Sequence, residues 1–346
     1  MAMVFEQVRT GGCLSYVIGC EETRAAVIVD PEARQLERYR SIASTTGLSV
    51  RYLVDTHTHA DHFSGVHELA RRLDVPSAMH RNSAAPFVDV RLDDGDMLLV
   101  GNLRVQVMHT PGHTDDSMVL RVDDRLLTGD TLLIGGTGRT DLPTGDAAAL
   151  HESLFEHVLR LPDTLRVFPA HDYHGRSSST LGEERATNPR LQRSDREAFV
   201  EMMKSLDLEM PAHLTEALRT NRTGGKTVAQ LIAEAARAVP FMSMDELRAR
   251  VERGDPDLLV LDVRERSSFD EAHIPGAMHI PRGLLELRVD ATLPDPTARV
   301  LAYCDFGKIS TLAAATLRSM GYTRAVALDG GMKAWIEKGF PTEPAA

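Results

Sequence analysis

The segment between residues 56 and 62 reads Thr56-His57-Thr58-His59-Ala60-Asp61-His62. An apolar stretch with strand character precedes it at 50–55, and a segment with helical spacing of apolar residues follows it at 63–73. Imidazoles and carboxylates are ligands of borderline metal ions, and sites in α/β folds form where strands end. Three histidines and an aspartate in one such loop predict a metal centre. The alternative is a solvated loop in which Asp61 caps the following helix.

Three further predicted strands also end at a residue type that binds metals. Any one of these residues alone would be interpreted as a hydrogen-bonded turn residue. Four strand ends that each carry such a residue predict one shared site. The three residues are His113 after the strand at 103–109, Asp130 after the strand at 125–128, and His171 after the strand at 165–168.

The pattern of predicted elements changes along the chain, and its 346 residues are enough for two domains. The first part mixes hairpins, strands and helices, which does not fit a plain doubly wound sheet. From Phe241 onward, strands alternate with helices over about 100 residues, which predicts a small parallel α/β domain. We place the boundary near 225–240, with a first domain over 1–235 and a second over 240–346.

Composition and charge exclude several classes of protein. Hydrophobic residues make up 42% and charged residues 26%, which excludes disordered, collagen-like and disulfide-scaffold chains. The net charge of −11 argues against nucleic acid or an anionic membrane as a partner, although it leaves a small anion possible. There is no apolar run of about 18 residues and no basic leader. With only three cysteines, we expect a cytoplasmic protein, and the sequence makes no prediction of its oligomeric state.

The histidine pattern resembles that of the metallo-β-lactamase superfamily over about residues 1–225. This resemblance implies an α/β fold in which an αββα sandwich carries its metal site at one edge. Most members hold two metal ions and catalyse hydrolysis, so the motif leaves the reaction open. The matching residues are His57, His59, Asp61, His62, His113, Asp130 and His171.

The segments around the later residues resemble the persulfide dioxygenases of the ethylmalonic-encephalopathy type more than glyoxalase II. The resemblance implies one mononuclear Fe(II) per chain with His57, His113 and Asp130 as ligands. His59, Asp61, His62 and His171 would then orient those ligands. The segments are Gly138-Arg139-Thr140-Asp141, Pro169-Ala170-His171-Asp172-Tyr173-His174-Gly175, Glu183-Glu184-Arg185 and Asn188-Pro189-Arg190-Leu191.

The same resemblance implies a reaction of glutathione persulfide with O2 and water that gives sulfite and glutathione. Because glutathione carries carboxylates, Arg139 and Tyr173 are candidates to hold it through hydrogen bonds. For Arg139, a structural ion pair with Asp141 is an equal alternative.

Cys304 ends a predicted buried strand at 299–303 and precedes a predicted helix. Backbone N–H groups of the loop and the helix start would stabilise a thiolate there, whereas a buried structural cysteine is the alternative. The segments at 259–265, 269–277 and 330–335 resemble a rhodanese domain, over about 241–343. The resemblance implies that Cys304 carries sulfane sulfur as a persulfide.

One position of the rhodanese loop departs from the family pattern. Ile309 stands where single-domain members have arginine, with Lys308 beside it as a possible cation. Asp305, next to the cysteine, would oppose a thiolate. Asp262 and Arg264 are interpreted as supports of the fold.

The favoured hypothesis is a fusion enzyme whose second domain transfers sulfur between thiosulfate and glutathione and whose first domain oxidises glutathione persulfide. The first alternative is a zinc or dinuclear hydrolase of glutathione thioesters, of the glyoxalase II type, with a sulfurtransferase partner. The second alternative is a catalytically silent C-terminal module. Cys13 and Cys20 fit no metal-site spacing and are interpreted as structural.

Overall fold

The computed structural model describes residues 2–293 and 295–344. It divides into two compact units, one that ends at Gly225 and one that begins at Lys226. The helix at Val228–Ala238, most of which the sequence analysis placed in the first domain, belongs to the second unit because it packs against the helix at Lys308–Ser319. No helix of the described part is long and apolar enough to cross a membrane.

Two six-stranded sheets form the framework of the first unit. The strands of the first sheet are β1 (Met3–Thr10), β2 (Cys13–Cys20), β3 (Ala25–Val29), β4 (Ser49–Val54), β5 (Ser77–His80) and β6 (Val90–Leu92). The next strands are β7 (Met97–Val100), β8 (Leu103–His109), β9 (Met118–Val122), β10 (Arg125–Gly129), a hairpin of β11 (Leu132–Leu133) and β12 (Gly136–Thr137), then β13 (Arg166–Pro169) and β14 (Ser179–Thr180).

The two sheets differ in how their strands are ordered. The first sheet follows the chain from β1 to β6, antiparallel as far as β3 and parallel from β3 to β6. The second sheet has the order β14-β13-β10-β9-β8-β7, in which only the pair β10 and β13 is parallel. Because β8, β10 and β13 therefore run in the same direction, the loops that follow them leave the same edge of the second sheet. The loop that follows β4 leaves the first sheet.

Side chains alternate between the two faces of each strand, as the pleat of a strand requires. In β2, Tyr16 and Ile18 pack between the sheets, whereas Val17 points to the outer face. In β3, Val27 packs between the sheets and Ile28 points outward. Both faces of these strands are thus buried, which explains why the sequence shows continuous apolar runs there.

Helices cover the outer faces of both sheets, so the first unit is an αββα sandwich. Leu36 and Leu69 pack on the first sheet, and Leu154 and Phe199 pack on the second. The helices are α1 (Leu36–Thr45), α2 (Val66–Leu73), α3 (Ala147–Glu152), α4 (Leu181–Thr187), α5 (Arg196–Lys204) and α6 (Leu214–Thr223), with 3-10 turns at Ala33–Gln35 and Val158–Arg160 and a π turn at Ser153–His157.

The second unit is a parallel five-stranded sheet with the strand order β15-β19-β18-β16-β17. Helices pack on both of its faces, where the two apolar clusters of the unit form. Its strands are β15 (Phe241–Met242), β16 (Leu258–Asp262), β17 (Met278–His279), β18 (Arg299–Tyr303) and β19 (Val326–Leu328). Its helices are α7 (Val228–Ala238), α8 (Met244–Glu252), α9 (Arg266–Glu271), α10 (Leu285–Thr292), α11 (Lys308–Ser319) and α12 (Gly331–Glu337), with a 3-10 turn at Arg282–Leu284.

A buried ion pair between Arg264 and Asp262 stabilises the end of β16. Arg264 donates to Asp262 Oδ2 at 2.6 Å and to the carbonyl oxygen of Ala272 at 2.6 Å. Both side chains of the pair are almost fully buried. Removal of the cation leaves an uncompensated carboxylate in the interior, which is more costly than the pair itself.

We therefore expect Arg264→Met to lower the free energy of unfolding of the second unit by about 3–5 kcal/mol. Trp335 is the only tryptophan of the chain and is fully buried in this unit, so its fluorescence in a urea titration reports the loss. The double variant Arg264→Met/Asp262→Leu serves as the control, because it leaves no buried charge and should recover much of the stability. A loss below about 1 kcal/mol in the single variant would contradict this account.

Candidate metal centre and cysteine loop

Three strand ends bring His57, His113 and Asp130 together. His57 follows β4, His113 follows β8, and Asp130 follows β10. One ligand atom from each residue lies within 4.8 Å of those of the other two. His113 Nε2 is 3.6 Å from Asp130 Oδ2, and both histidines are buried. This metal-type triad is the group that the sequence analysis selected, and its role as a ligand set stays a prediction.

Hydrogen bonds orient both imidazoles of the triad. His113 Nδ1 lies 2.8 Å from the carbonyl oxygen of Arg139, which can only accept, so Nδ1 carries the proton. His57 Nδ1 lies 3.0 Å from Thr56 Oγ1, whose own hydroxyl donates to Asp30. Each ring therefore turns its Nε2 atom toward the centre of the triad, as a metal ligand does.

Burial and charge also suit a cation at the triad. His57 Nε2 is buried without a hydrogen-bond partner among residues 2–293 and 295–344. Burial lowers the pKa of His57 well below its usual range, so the ring is neutral near pH 7. Burial would raise the pKa of Asp130, but the His171 imidazole outweighs it and holds this pKa well below its usual range. Two imidazoles and one carboxylate fit a divalent metal ion.

A second group lies beside the triad and consists of Cys13, Asp61, His62 and His171. His171 Nδ1 is 2.6 Å from Asp130 Oδ1, which joins the two groups. His171 Nε2 lies 2.7 Å from Asp61 Oδ2 without hydrogen-bond geometry, and His62 Nε2 is also unpartnered in the described residues. The interpretation of Cys13 as a structural residue did not anticipate this group.

The ionisation of Cys13 reflects these histidines. Burial would raise the pKa of the Cys13 thiol, but the neighbouring imidazoles of His171 and His62 outweigh it and lower the pKa to about 7. Its nearest acidic neighbour is Asp61, with 3.9 Å between Sγ and Oδ2. Cys13 starts β2 and forms an isolated bridge with His171, so the contact depends on pairing across the sandwich.

Buried acids hold the histidine loop in place. His59 Nε2 lies 3.2 Å from Asp30 Oδ1 and 3.6 Å from Asp55 Oδ1. Burial would lower the pKa of His59, but these two carboxylates outweigh it and raise the pKa well above its usual range. Asp30 also accepts from the backbone N–H of Thr56 at 2.7 Å. His59 is thus linked to the ends of β3 and β4, which Asp30 and Asp55 directly follow.

Two further residues position the loop, and sequence reasoning did not select either. Asp116 accepts from the N–H of Thr58 at 3.1 Å and from the hydroxyl of Thr114 at 2.6 Å, so it joins the loops of His57 and His113. The Asn221 amide, which lies in α6, donates to the carbonyl oxygens of His59 and His62 at 2.8 Å. The sequence showed no ligand-type spacing around either residue.

A cavity of about 550 Å³ opens beside the triad, and His113, Asp130 and His171 are among its lining residues. Gly138 lets its backbone approach the backbone of Asp130 closely, because a Cβ there would lie 2.1 Å from the carbonyl oxygen of Asp130. Tyr173, a candidate for substrate binding, also lines the cavity and rests on Gly12, where a Cβ would meet its ring at 2.2 Å.

Arg139 also lines this cavity, and its guanidinium is engaged by the protein itself. It donates to the two carboxylate oxygens of Asp141 at 2.6 and 2.7 Å. It also donates to the carbonyl oxygens of Glu209 at 2.7 Å and Leu208 at 3.3 Å. The structural ion pair is therefore present, and contacts of Arg139 and Tyr173 with a substrate stay predictions.

Cys304 directly follows β18 and lies against the start of α11. The backbone N–H of Ser310 donates to its sulfur at 3.3 Å, and the Ser310 hydroxyl lies 3.5 Å from the same sulfur. Arg264 Nη1 lies 3.4 Å from Asp305 Oδ1, which offsets the acid next to the cysteine. Ile309 is exposed in the first turn of α11, so it places an apolar side chain where the family pattern has a cation.

Two family models match this chain. Residues 8–171 match the metallo-beta-lactamase superfamily, and residues 243–338 match the rhodanese-like domain. The αββα sandwich with metal-type groups at its edge, followed by a parallel α/β unit, defines a metallo-β-lactamase-fold protein that carries a rhodanese-like domain.

Curated relatives and solved structures define the family more narrowly. Persulfide dioxygenase ETHE1 of Bos taurus is 38% identical over 213 residues, which cover 61% of this chain and 84% of that protein. The crystal structure of ETHE1 from Myxococcus xanthus is 38% identical with a TM-score of 0.63, and the match covers 64% of this chain and all of that one. The chain belongs to the persulfide dioxygenase family of the metallo-β-lactamase superfamily.

A third comparison extends over nearly the whole chain. A metallo-beta-lactamase structure from Staphylococcus aureus covers 95% of this chain and 99% of its own, with a TM-score of 0.61. Its identity is 23%, so this likeness shows the fold alone. The family membership implies a bound metal and a sulfur-containing substrate class, which agrees with the expectation from the sequence.

Proposed function

We propose that the first unit oxidises glutathione persulfide with O2 and water to sulfite and glutathione, with one Fe(II) per chain held by His57, His113 and Asp130. We further propose that the second unit transfers sulfane sulfur between thiosulfate and glutathione through Cys304. The observation that carries the first proposal is the two-histidine, one-carboxylate triad, which borders a cavity large enough for a small thiol.

The three residues of the triad would hold the iron. Two histidines and one carboxylate are the ligand set of non-haem iron oxygenases. The bound iron would supply the redox chemistry that couples ground-state O2 to a sulfur whose electrons are all paired. The protein contributes fixed imidazoles, since Arg139 and Thr56 set their tautomers, and a carboxylate kept ionised by His171.

The chemistry at Cys304 needs no cofactor. Its thiolate attacks the outer sulfur of thiosulfate, the sulfur–sulfur bond breaks, and sulfite leaves with the bonding electrons. A glutathione thiolate then attacks the outer sulfur of the Cys304 persulfide, which gives glutathione persulfide and returns Cys304 as thiolate. The N–H of Ser310 stabilises the Cys304 thiolate both before the attack on thiosulfate and after the persulfide has been transferred.

The alternative of a dinuclear hydrolase also has one observation in its favour. His62 Nε2 and His171 Nε2 are buried and unpartnered among the described residues, as ligands of a second metal would be. Glutathione thioesters would then be the substrates of a glyoxalase II-like reaction. The persulfide dioxygenase family membership favours the oxidation instead.

Metal analysis combined with O2 uptake separates the two functions. We expect one iron per chain and O2 consumption with glutathione persulfide, at one O2 per sulfite formed. The matched assay is hydrolysis of a glutathione thioester by the same iron-quantified protein. Two metals per chain, thioester hydrolysis and no O2 uptake would overturn the dioxygenase proposal.

A further inference from the structure

Three arginines line the cavity beside the triad, and only two of them are paired with acids. Arg139 pairs with Asp141, and Arg176 pairs with Asp172 at 2.9 Å. In residues 2–293 and 295–344, Arg190 forms no ion pair with a carboxylate, and burial is the sole influence on its pKa, which it lowers. Arg190 is therefore the unpaired cation of this cavity.

A polar network of the protein fixes the position of Arg190. Its Nη1 donates to the carbonyl oxygen of Thr137 at 2.6 Å and to the Thr137 hydroxyl at 3.1 Å. Its backbone N–H donates to Asn188 Oδ1 at 3.1 Å, and the Asn188 amide donates to the carbonyl oxygen of Gly136 at 2.9 Å. These hydrogen bonds hold the guanidinium at the β11–β12 hairpin, and residues of this hairpin line the cavity.

This network uses two of the sequence segments that resemble the persulfide dioxygenases, the ones at 183–185 and 188–191. Glu184 is buried and accepts from the Asn188 amide at 2.9 Å and from the N–H of Gly135 at 2.8 Å. Glu184 and Asn188 therefore hold the hairpin, whereas Arg190 alone of these three lines the cavity. A half-buried guanidinium without a counter-charge is costly, and an anionic ligand in the cavity offsets that cost.

We propose that Arg190 binds the glycine carboxylate of the glutathione moiety and so selects the thiol part of the substrate; this rests on the proposed function of the site. Guanidinium and carboxylate are geometrically matched for paired hydrogen bonds. The glycine end of glutathione is a carboxylate with no ammonium beside it, which suits an arginine with no acid beside it. The γ-glutamyl end carries both charges and would need both signs in the protein.

The test compares the persulfides of glutathione and of its glycine monoethyl ester as substrates for O2 uptake by iron-quantified protein. We expect the ester to raise KM of the wild type by about 10–100-fold, since a hydrogen bond between charged groups is lost. Arg190→Met should raise KM for the free acid by a similar factor and bring the ratio of the two KM values close to one. Arg190→Lys, which keeps the charge but not the planar fork, should fall between them.

The matched control is Arg160→Met, which removes the same charge from an exposed surface pair with Glu156. It should keep the wild-type ratio of KM values. A wild type that does not distinguish acid from ester overturns the proposal, and so does an Arg190→Met variant that still does. Discrimination only against the diethyl ester would assign recognition to the γ-glutamyl end, which also overturns it.

Iron content and melting temperature show whether each variant is folded. If Arg190→Met does not fold, the wild-type ester comparison together with Arg190→Lys decides. Calorimetric binding of glutathione and its ester separates this proposal from the reaction itself. If the protein binds glutathione more tightly than the ester but takes up no O2, Arg190 remains the binding residue and the dioxygenase function is overturned. If it takes up O2 but does not distinguish glutathione from the ester, the dioxygenase function stands and the role of Arg190 is overturned.

Discussion

Replacement of Asp130 by asparagine is expected to remove most of the iron and to lower O2 uptake with glutathione persulfide by more than 100-fold. Loss of a residue that only supports a metal ligand costs about 10–100-fold, and loss of a charged ligand should cost more. Asp130 is the only carboxylate of the triad and lies 2.6 Å from His171 Nδ1. The amide keeps the shape of the side chain but removes the negative charge that balances the cation.

The measurements are iron per chain by elemental analysis and O2 uptake at saturating persulfide. Asp163→Asn is the matched control, because Asp163 is exposed and pairs only on the surface with Arg185. Sulfur transfer from thiosulfate to glutathione should persist in Asp130→Asn, because Cys304 belongs to the second unit, and the melting temperature of the variant shows whether the first unit is folded. Full iron content with normal O2 uptake in Asp130→Asn would mean that the triad is not the metal site.

Replacement of Cys304 by serine is expected to abolish transfer of sulfur from thiosulfate to glutathione. The serine hydroxyl cannot carry a sulfane sulfur at neutral pH, since only a thiolate is a sufficient nucleophile for the outer sulfur. O2 uptake with added glutathione persulfide should remain, because Cys304 belongs to the second unit and the triad to the first. With thiosulfate and glutathione as the starting compounds, O2 uptake should fall to background.

Cys20→Ala is the control, since it removes a thiol from the first unit and should leave sulfur transfer unchanged. Formation of a persulfide on Cys304 can be followed by mass, as a gain of one sulfur atom after incubation with thiosulfate. Undiminished transfer in Cys304→Ser would favour the alternative in which the C-terminal unit is a silent module.

Two strands were predicted with the bounds that the structure has, at Leu103–His109 and Arg299–Tyr303. In the second of them, the apolar run from Val300 to Tyr303 is fully buried, so the sequence reports that burial directly. The sequence Asn221-Arg-Thr-Gly-Gly225 has the composition of a loop, so it does not predict the last turn of α6. The helix in fact continues to Thr223 and ends at Gly224 in the left-handed conformation.

Cys13 and Arg139 show where sequence reasoning reached its limit. Cys13 is distant in sequence from His171 and meets it only because the start of β2 bridges to that residue. The sequence around Arg139 was equally consistent with a contact to the substrate and with an ion pair to Asp141. A sequence alone does not show the direction in which a guanidinium points. Its bonds to Leu208 and Glu209 join segments about 70 residues apart and need the folded cavity wall.

The sequence by itself determined the family, the two-part organisation of the fold and the residue types of the metal-type triad, because these depend on local periodicity and on motifs at strand ends. Only the tertiary structure decided which of the many ligand-type residues form one group, which imidazole nitrogens face it and which arginine of the cavity is unpaired. Those properties depend on distances between atoms far apart in the chain, and sheet packing sets those distances. The cation at Arg190 was visible in the sequence, but its lack of a counter-charge became visible only when its surroundings were known.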